Sequence, residues 1–270
     1  MKSKKTESAR EMNLHCSIRG YRAGMSLDEV KVPAILRCRR KSGLKWFDES
    51  LGEGFVPSTA MLLTGTPGIG KSTMFLQLAD SLEQTGHHVL FNTNEESLYQ
   101  TKMVAERLKL NNKFHVAEEW ALPRLFDQAD NIAKADKSKQ MFLLVDSLQG
   151  LDDCKYSNGY KSGNTVVRCT EMLTDWAKKT NGIVVIIGQS KKDGDFAGKQ
   201  VIFHAVDIRA QFSFDTYKKS DTYGERIFQI VKNRFGLAGI KHVMDVTREG
   251  VFEKYSLDQF ASPVEDDDEI

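Results

Sequence analysis

The central part of the chain alternates short apolar runs with longer segments whose apolar residues recur at helical spacing. The strand-like runs are 60–64, 89–92, 141–146 and 183–187. The helical patterns are 72–84, 97–108, 123–135 and 166–180. This alternation, between about residues 41 and 253, predicts repeated β-α units and therefore an α/β fold with a mainly parallel twisted sheet flanked by helices.

The later part of the chain has a different pattern. Residues 205–214 and 226–232 are rich in strand formers and have no long helical pattern between them. We therefore expect antiparallel edge strands and hairpins there. The predicted organisation is a basic N-terminal extension at 1–40, a catalytic core at 41–257 and an acidic tail at 258–270.

Composition limits the classes of protein that fit this pattern. The 270 residues, 40% of them apolar and 28% charged, suffice for one large α/β domain but not comfortably for two. The formal charge of +1 excludes a uniformly basic protein that coats a polyanion, so any nucleic-acid surface must be local.

The two ends of the chain carry opposite charge. Residues 1–45 hold twelve Lys and Arg against four Asp and Glu, whereas 258–270 hold six acidic residues and no basic one. The basic end fits a nucleic-acid arm and a solvated leader equally well. The acidic end is expected to be disordered and solubilising, with docking on a basic groove or on a partner as the alternative.

The sequence predicts a cytoplasmic protein without a structural metal. No apolar run approaches the roughly 20 residues of a membrane span, and the polar N-terminus does not look like a secretory signal. The four cysteines are too scattered for a disulfide framework or a zinc ribbon.

A phosphate-binding motif is the strongest chemical signal. It matches G-x-x-x-x-G-K-[S/T] and lies between a predicted strand and a predicted helix, as Gly65-Thr66-Pro67-Gly68-Ile69-Gly70-Lys71-Ser72. Glycines let backbone amides converge on a polyanion, and the helix beginning near Lys71 directs its positive dipole end at the same point. We expect ATP and Mg²⁺ here, with Lys71 on the β- and γ-phosphates and Ser72 on the metal. Thr73 either supports the nucleotide end of the helix or packs in the core.

Hydrolysis also needs carboxylates near the phosphates. Asp146 ends an apolar strand, where a parallel sheet presents ligands, and suits the outer Mg²⁺ contact. Glu95 and Glu96 follow the preceding strand and are candidates to activate water, although first-turn helix acids favoured by the dipole would look the same. Gln189, at the end of the next strand, either senses the γ-phosphate or belongs to an ordinary loop.

These elements together resemble the RecA-like core of the RadA (Sms) family of bacterial recombination helicases, which is related to DnaB-type helicases. Beyond the phosphate loop, the segments that carry the resemblance are 42–44, 47–48 and 51–57, Asn-Glu-Glu-Ser at 94–97, Val-Asp-Ser-Leu-Gln at 145–149, 192–194 with 197–199, His204, Asp207, and Lys-Asn-Arg-Phe-Gly at 232–236. The resemblance covers roughly residues 41–255.

The resemblance implies roles for further residues. Glu95 would be the catalytic base. Lys232 and Arg234 would act in trans on the nucleotide of an adjacent subunit, in a homo-oligomer that is expected to be a hexameric ring. A solvated hairpin or direct DNA contacts are the alternatives for this basic pair.

DNA would lie in the central channel of such a ring. The loops after the Asp146 and Gln189 strands combine basic residues with aromatics and glycines, which suits sequence-tolerant binding of a single strand, although surface loops often have this composition. The candidate DNA-binding residues are Lys155, Lys161, Lys191, Lys192 and Lys199.

The sequence also departs from the RadA pattern. That family normally has an N-terminal four-cysteine zinc module and a C-terminal Lon-protease-like domain, and we expect neither here, since the first 40 residues contain only Cys16 and Cys38. Gln189 stands where the family usually has His.

The function expected is therefore an ATP-dependent DNA motor, acting on single-stranded or branched DNA in recombination or replication. A recombinase or single-strand-binding protein is a possible partner. The alternatives are a strand-exchange recombinase, an ATP-switched adaptor of another helicase and a KaiC-like signalling ATPase.

Overall fold

The computed structural model describes residues 24–156, 161–162, 164–189 and 200–257. These residues form one nine-stranded sheet in the order β3-β2-β4-β5-β1-β6-β7-β8-β9. The strands are β1 (Ala60–Gly65), β2 (His88–Thr93), β3 (His115–Ala117), β4 (Met141–Asp146), β5 (Ile183–Gln189), β6 (Ile208–Phe214), β7 (Arg226–Asn233), β8 (Lys241–Thr247) and β9 (Gly250–Leu257). The helices are α1 (Ala34–Arg37), α2 (Lys45–Ser50), α3 (Lys71–Gln84), α4 (Leu98–Arg107), α5 (Leu122–Ala135), α6 (Thr165–Thr180) and α7 (Val201–Ala205).

Six strands, from β3 to β6 in the sheet order, are parallel. Their register aligns the strand ends, since Gly65 lies opposite Gln189 and Thr93 lies opposite Asp146. We call this end of the sheet the carboxyl edge and the other end the amino edge. Side chains that follow β1, β2, β4 and β5 therefore meet at the carboxyl edge.

Both faces of the parallel part are covered by helices. β1 and β4 are buried along their whole length, which explains why their sequences are apolar without alternation. On one face α3 packs Phe75 and Leu78 into a core that also contains Phe142 and Phe228. On the other face α5 and α6 cover a second core. The expected α/β fold, with a mainly parallel sheet and flanking helices, is confirmed.

The antiparallel part consists of β7, β8 and β9. The prediction that 205–214 is an antiparallel edge strand is wrong, because β6 runs parallel to β1 and lies between β1 and β7. The reason is the short helix α7, after which the chain begins β6 at the amino edge, with Ile208 beside Met61. Residue 205, placed by the prediction in this strand, ends α7.

Several short elements were not predicted, among them α2 and β3. α2 buries Trp46 and Phe47, and Trp46 meets the Phe228 ring edge-on at 5.1 Å. Just before α2, Arg40 forms an isolated antiparallel bridge with Phe55. The segment preceding the phosphate loop is thus packed on the antiparallel strands.

The described residues contain no helix that is both long and apolar enough to cross a membrane. Most of the N-terminal extension and the whole acidic tail, residues 1–23 and 258–270, lie outside the described residues. The domain boundaries at 40 and 257 stay predictions.

Candidate nucleotide-binding site

The phosphate loop connects β1 to α3 at the carboxyl edge, and its backbone conformation requires glycine. A side chain at Gly65 would place its Cβ 2.1 Å from the carbonyl oxygen of Phe212 on β6. Gly68 and Gly70 have φ angles of +75° and +114°, in the left-handed region that other residues rarely adopt. Gly70 is also the N-cap of α3. The loop therefore curls over the positive end of a 14-residue helix.

Lys71 lies inside this loop. Its ammonium donates hydrogen bonds of 2.8 Å to the carbonyl oxygens of Gly65 and Thr66. Burial lowers the pKa of Lys71, and the negative charges of Asp146 and Glu95 oppose that effect. Within the described part of the chain, the buried hydroxyl of Thr66 has no hydrogen-bond partner. A buried cation, an unpaired hydroxyl and a helix N-terminus fit a phosphate anion.

Ser72 and Asp146 form the neighbouring part of the site. The Ser72 side chain is hydrogen-bonded to the Asp146 carboxylate. Burial raises the pKa of Asp146 to about 6; the bond to Ser72 and the charge of Lys71 act in the opposite direction, and Glu95 and Glu96 add to the rise. A carboxylate that is costly to ionise is stabilised by a cation, so this pair fits a divalent metal ion with oxygen ligands.

Glu95 is held at the centre of the carboxyl edge by two donors. The Ser147 hydroxyl, after β4, donates to its Oε1 atom, and the Gln189 amide, at the end of β5, donates to the same oxygen at 2.7 Å. The structure thus brings together Glu95, Asp146 and Gln189 from three separate strand ends, as the sequence predicts.

Glu96 is arranged differently. Its backbone is tied to the Thr93 hydroxyl through a 2.8 Å bond at the carbonyl and a 3.2 Å bond at the amide. Its carboxylate raises the pKa of Asp146. Next to it, Ser97 and Gln100 form a reciprocal capping box at the start of α4. The geometry favours Glu95 over Glu96 as the residue next to Asp146.

Lys232 and Arg234 lie far from this site, at the amino edge. Lys232 is paired with Arg209 near the start of β6. Its ammonium donates to the carbonyl oxygens of Phe203 at 2.9 Å and Val206 at 2.6 Å, and burial, followed by the charge of Arg234, lowers its pKa. Arg234 forms a 2.9 Å ion pair with the buried Asp207. The basic pair therefore does not contact the phosphate loop of its own chain.

Two candidate DNA-binding residues are described. Lys155 is exposed, with its ammonium 5.8 Å from the centre of the Tyr156 ring. Lys161 is exposed and donates to the carbonyl oxygen of Gly150 at 2.8 Å. Both follow β4 at the carboxyl edge. Lys191, Lys192 and Lys199 lie outside the described residues.

Sequence reasoning missed two residues of this edge. Asn94 and Ser147 are joined by a pair of hydrogen bonds between the Asn94 side chain and the Ser147 backbone. Both are adjacent in sequence to a residue that was singled out, Glu95 or Asp146. Position at a strand end was the available signal.

A cavity of about 590 Å³ adjoins the loop on the side of the antiparallel strands. Its lining includes Thr66, Gln211, Phe214, Gln229 and Lys241.

Taken together, a glycine loop between a buried strand and a helix, with acidic and amide side chains on the neighbouring strand ends, defines a P-loop ATPase of the RecA-like class. The chain belongs to the KaiC ATPase family, whose model, described as "ATPase: KaiC", matches residues 40–252.

The chain is also similar to bacterial proteins named DNA repair protein RadA. It is 33% identical to the Aquifex aeolicus protein over 216 residues, which are 80% of this chain and 46% of that protein. The figures are 34% over 217 residues, 80% and 45% for Bacillus subtilis, and 32% over 249 residues, 92% and 56% for Streptococcus pneumoniae. The chain thus spans about half the length of these relatives. The resemblance to the RadA core is confirmed.

Solved structures show the same fold. The ATPase domain of a DnaB-like helicase superposes with a TM-score of 0.67 at 15% identity and covers 78% of this chain and 88% of that one. A KaiC-like protein from Pyrococcus horikoshii OT3 superposes with a TM-score of 0.63 at 17% identity and covers 80% and 98%.

Proposed function

We propose that this chain is an ATP-hydrolysing motor that acts on single-stranded or branched DNA in recombination, repair or replication. The observation that carries the proposal is the convergence of Lys71, Ser72, Asp146 and Glu95 at the carboxyl edge, from three strand ends and one helix. The likeness to RadA proteins, named for DNA repair, supports DNA as the polymer.

In this proposal the loop residues Gly65 to Thr73 bind the triphosphate. Lys71 exchanges its two carbonyl partners for phosphate oxygens, and the free Thr66 hydroxyl supplies one more donor. Ser72 and Asp146 would hold Mg²⁺, which supplies charge neutralisation at the phosphates when bound. The adjoining cavity has room for the nucleoside.

Glu95 accepts the proton of the attacking water. Two donors, Ser147 and Gln189, fix one of its oxygens and leave the other for the water. Because Gln189 belongs to β5 and directly precedes 190–199, its bond to Glu95 would connect hydrolysis to that segment.

The trans role of Lys232 and Arg234 follows from their place at the amino edge. A cation that is opposite its own phosphate loop can serve only the nucleotide of another copy, so we propose a homo-oligomer, with a hexameric ring as the preferred form. Arg234 stabilises charge on the transferred phosphoryl group with its planar guanidinium.

DNA binding is assigned to the segments after β4 and β5, with Lys155 and Lys161 from the first and Lys191, Lys192 and Lys199 from the second. Phosphate contacts from such lysines predict binding that weakens as salt rises.

The experiment that tests the proposal is steady-state ATP hydrolysis with and without single-stranded DNA, at several salt concentrations. Lys71→Ala serves as the blank. Lys161→Ala is compared with a matched control, Lys137→Ala, since Lys137 is equally exposed but lies before β4 at the amino edge. DNA stimulation that fades with salt, and that Lys161→Ala weakens but Lys137→Ala does not, supports a motor. Turnover that ignores DNA would reject the motor in favour of a switch or signalling ATPase.

A further inference from the structure

The carboxyl edge contains an asparagine that no catalytic step uses. Asn94 follows β2 and precedes Glu95, and it is half-buried. Its side-chain nitrogen donates to the carbonyl oxygen of Ser147 at 2.8 Å, and its side-chain oxygen accepts from the amide of Ser147 at 2.9 Å. The Asn94 backbone amide donates to the carbonyl oxygen of Asp146 at 2.9 Å. Three hydrogen bonds therefore join the ends of β2 and β4.

Ser147 is the residue that these bonds immobilise. It is fully buried, and its hydroxyl donates to Glu95. Both backbone polar groups of Ser147 are held by one side chain, so the direction of its hydroxyl depends on Asn94. Asn94 does not touch the phosphate loop in any of these contacts.

Gly150 completes the arrangement. A Cβ on Gly150 would lie 2.1 Å from the Asn94 side-chain oxygen and 2.3 Å from its Cγ. The Asn94 amide is locked by its two bonds and cannot yield easily, so only glycine leaves space for it. The conformation of Asn94 is thereby fixed from two sides.

We propose that Asn94 is a positioning residue for hydrolysis, which holds Ser147 so that its hydroxyl aims Glu95 at the attacking water. This inference rests on the proposed function of Glu95. It assigns to Asn94 an effect on turnover and none on nucleotide binding, because its contacts are confined to the β4 end.

The chain offers a matched control. Asn92, two residues earlier, makes the same pair of bonds with the backbone of Glu119: its nitrogen donates at 2.8 Å and its oxygen accepts at 2.9 Å. Asn92 is fully buried but has no contact with Ser147 or Glu95 in these bonds. Asn92→Ala therefore removes equivalent bonds away from the proposed water-activating group.

The test measures kcat and KM for ATP, together with ATP affinity, in Asn94→Ala and Asn92→Ala. We expect Asn94→Ala to lower kcat by about 10- to 100-fold, as misplacement of a catalytic group does, with ATP affinity unchanged. Asn92→Ala is expected to lose stability with a much smaller change in kcat. Equal effects on kcat in the two variants, or normal kcat in Asn94→Ala, would overturn the proposal.

Gly150→Ala adds a second, independent measurement. The new methyl group should displace the Asn94 amide and lower kcat in the wild-type background, but add little in the Asn94→Ala background. Fully additive losses would contradict a shared mechanism.

A structural readout separates this inference from the proposed function. The hydrogen-exchange rate of the Ser147 amide, measured by NMR, should rise in Asn94→Ala and not in Asn92→Ala, whether or not the protein hydrolyses ATP. If the wild type has no turnover, the proposed function fails while this exchange still decides whether Asn94 holds Ser147. Unchanged exchange in Asn94→Ala overturns the inference.

Discussion

The two edges of the sheet differ in how their charged side chains are used. At the carboxyl edge, Lys71, Asp146 and Glu95 from separate elements lie close enough to shift one another's electrostatics. At the amino edge, Lys232 and Arg234 are occupied by carbonyl oxygens and a carboxylate of their own chain. β1 has six residues, so the edges are about 20 Å apart. Any reaction that uses both edges therefore requires two copies of the chain.

The largest expected effect comes from the amino edge. Arg234→Ala should lower turnover of the assembled protein by about 10³- to 10⁵-fold, the usual value of an arginine finger, and leave ATP binding intact. Steady-state hydrolysis at concentrations that support assembly measures this. Arg234→Lys should be nearly as inactive, because an ammonium lacks the planar fork.

Mixing experiments sharpen the contrast between the edges. Subunits with Lys232→Ala or Arg234→Ala should complement Lys71→Ala subunits, because in mixed assemblies an intact phosphate loop can face an intact basic pair. Absence of rescue at every mixing ratio would contradict the trans assignment and leave Lys232 and Arg234 with a structural role through Asp207.

At the carboxyl edge, Glu95→Gln should retain ATP binding and lose turnover by about 10²- to 10⁴-fold, since the amide cannot accept a proton. Nucleotide binding and single-turnover hydrolysis distinguish the two steps. Glu96→Gln is the comparison variant and is expected to retain more activity. Normal turnover in Glu95→Gln would remove this residue from the mechanism.

Asp146 gives a stability effect that depends on pH. Its pKa is raised from 3.8 to about 6, so ionisation costs the folded, nucleotide-free protein about 3 kcal/mol at high pH. The cost is absent below the lower pKa, accumulates as the pH rises through this interval and is complete above about 6. Asp146→Asn should therefore stabilise the nucleotide-free protein by about 1–3 kcal/mol near pH 8 and by almost nothing near pH 4, although it loses activity.

Urea unfolding at several pH values measures this effect. Asp80→Asn is the control, because Asp80 is also buried but accepts bonds from the Asn112 amide and the Gln84 side chain. No stabilisation is expected in this variant. A gain in Asp146→Asn that does not vary with pH would argue against the assigned cause.

The smallest expected effect concerns the capping box after Glu96. Ser97→Ala removes the side-chain acceptor at the start of α4 and should lower stability by about 1 kcal/mol. Turnover at moderate temperature should stay near the wild-type value. A large fall in kcat would mean that the α4 start positions Glu95, in addition to the contacts from β4 and β5.

The parallel part of the fold could be predicted from sequence because its strands are buried on both faces. The bounds predicted for β4, 141–146, are those of the structure, and α3 begins one residue before the predicted position. A continuous apolar run that ends in a carboxylate has few other interpretations. The phosphate loop was located for the same reason, since its motif includes its strand and helix.

The direction of β6 could not be predicted, because strand formers look the same in either direction. Its direction depends on α7, which has only five residues and gives little periodicity. β3 is shorter still, with three residues, two of them exposed. Hydrophobic patterns do not register elements of this size.

Contacts between distant residues were also beyond the sequence. The pairing of Asn94 with Ser147 joins residues 53 positions apart, and the position of Arg234 beside Asp207 depends on the antiparallel pairing of β6 and β7. The residue types could be singled out one by one, whereas their distances come only from the assembled sheet.

The two bonds of Lys71 to Gly65 and Thr66 have a kinetic consequence. The ammonium is already enclosed by its loop, so the loop has its curved shape before a nucleotide arrives. Arriving phosphates replace one set of acceptors with another and do not have to order a loose segment, which keeps the entropic cost of association low. We therefore expect nucleotide capture to be governed by diffusion and charge, and release by the return of Lys71 to its own backbone.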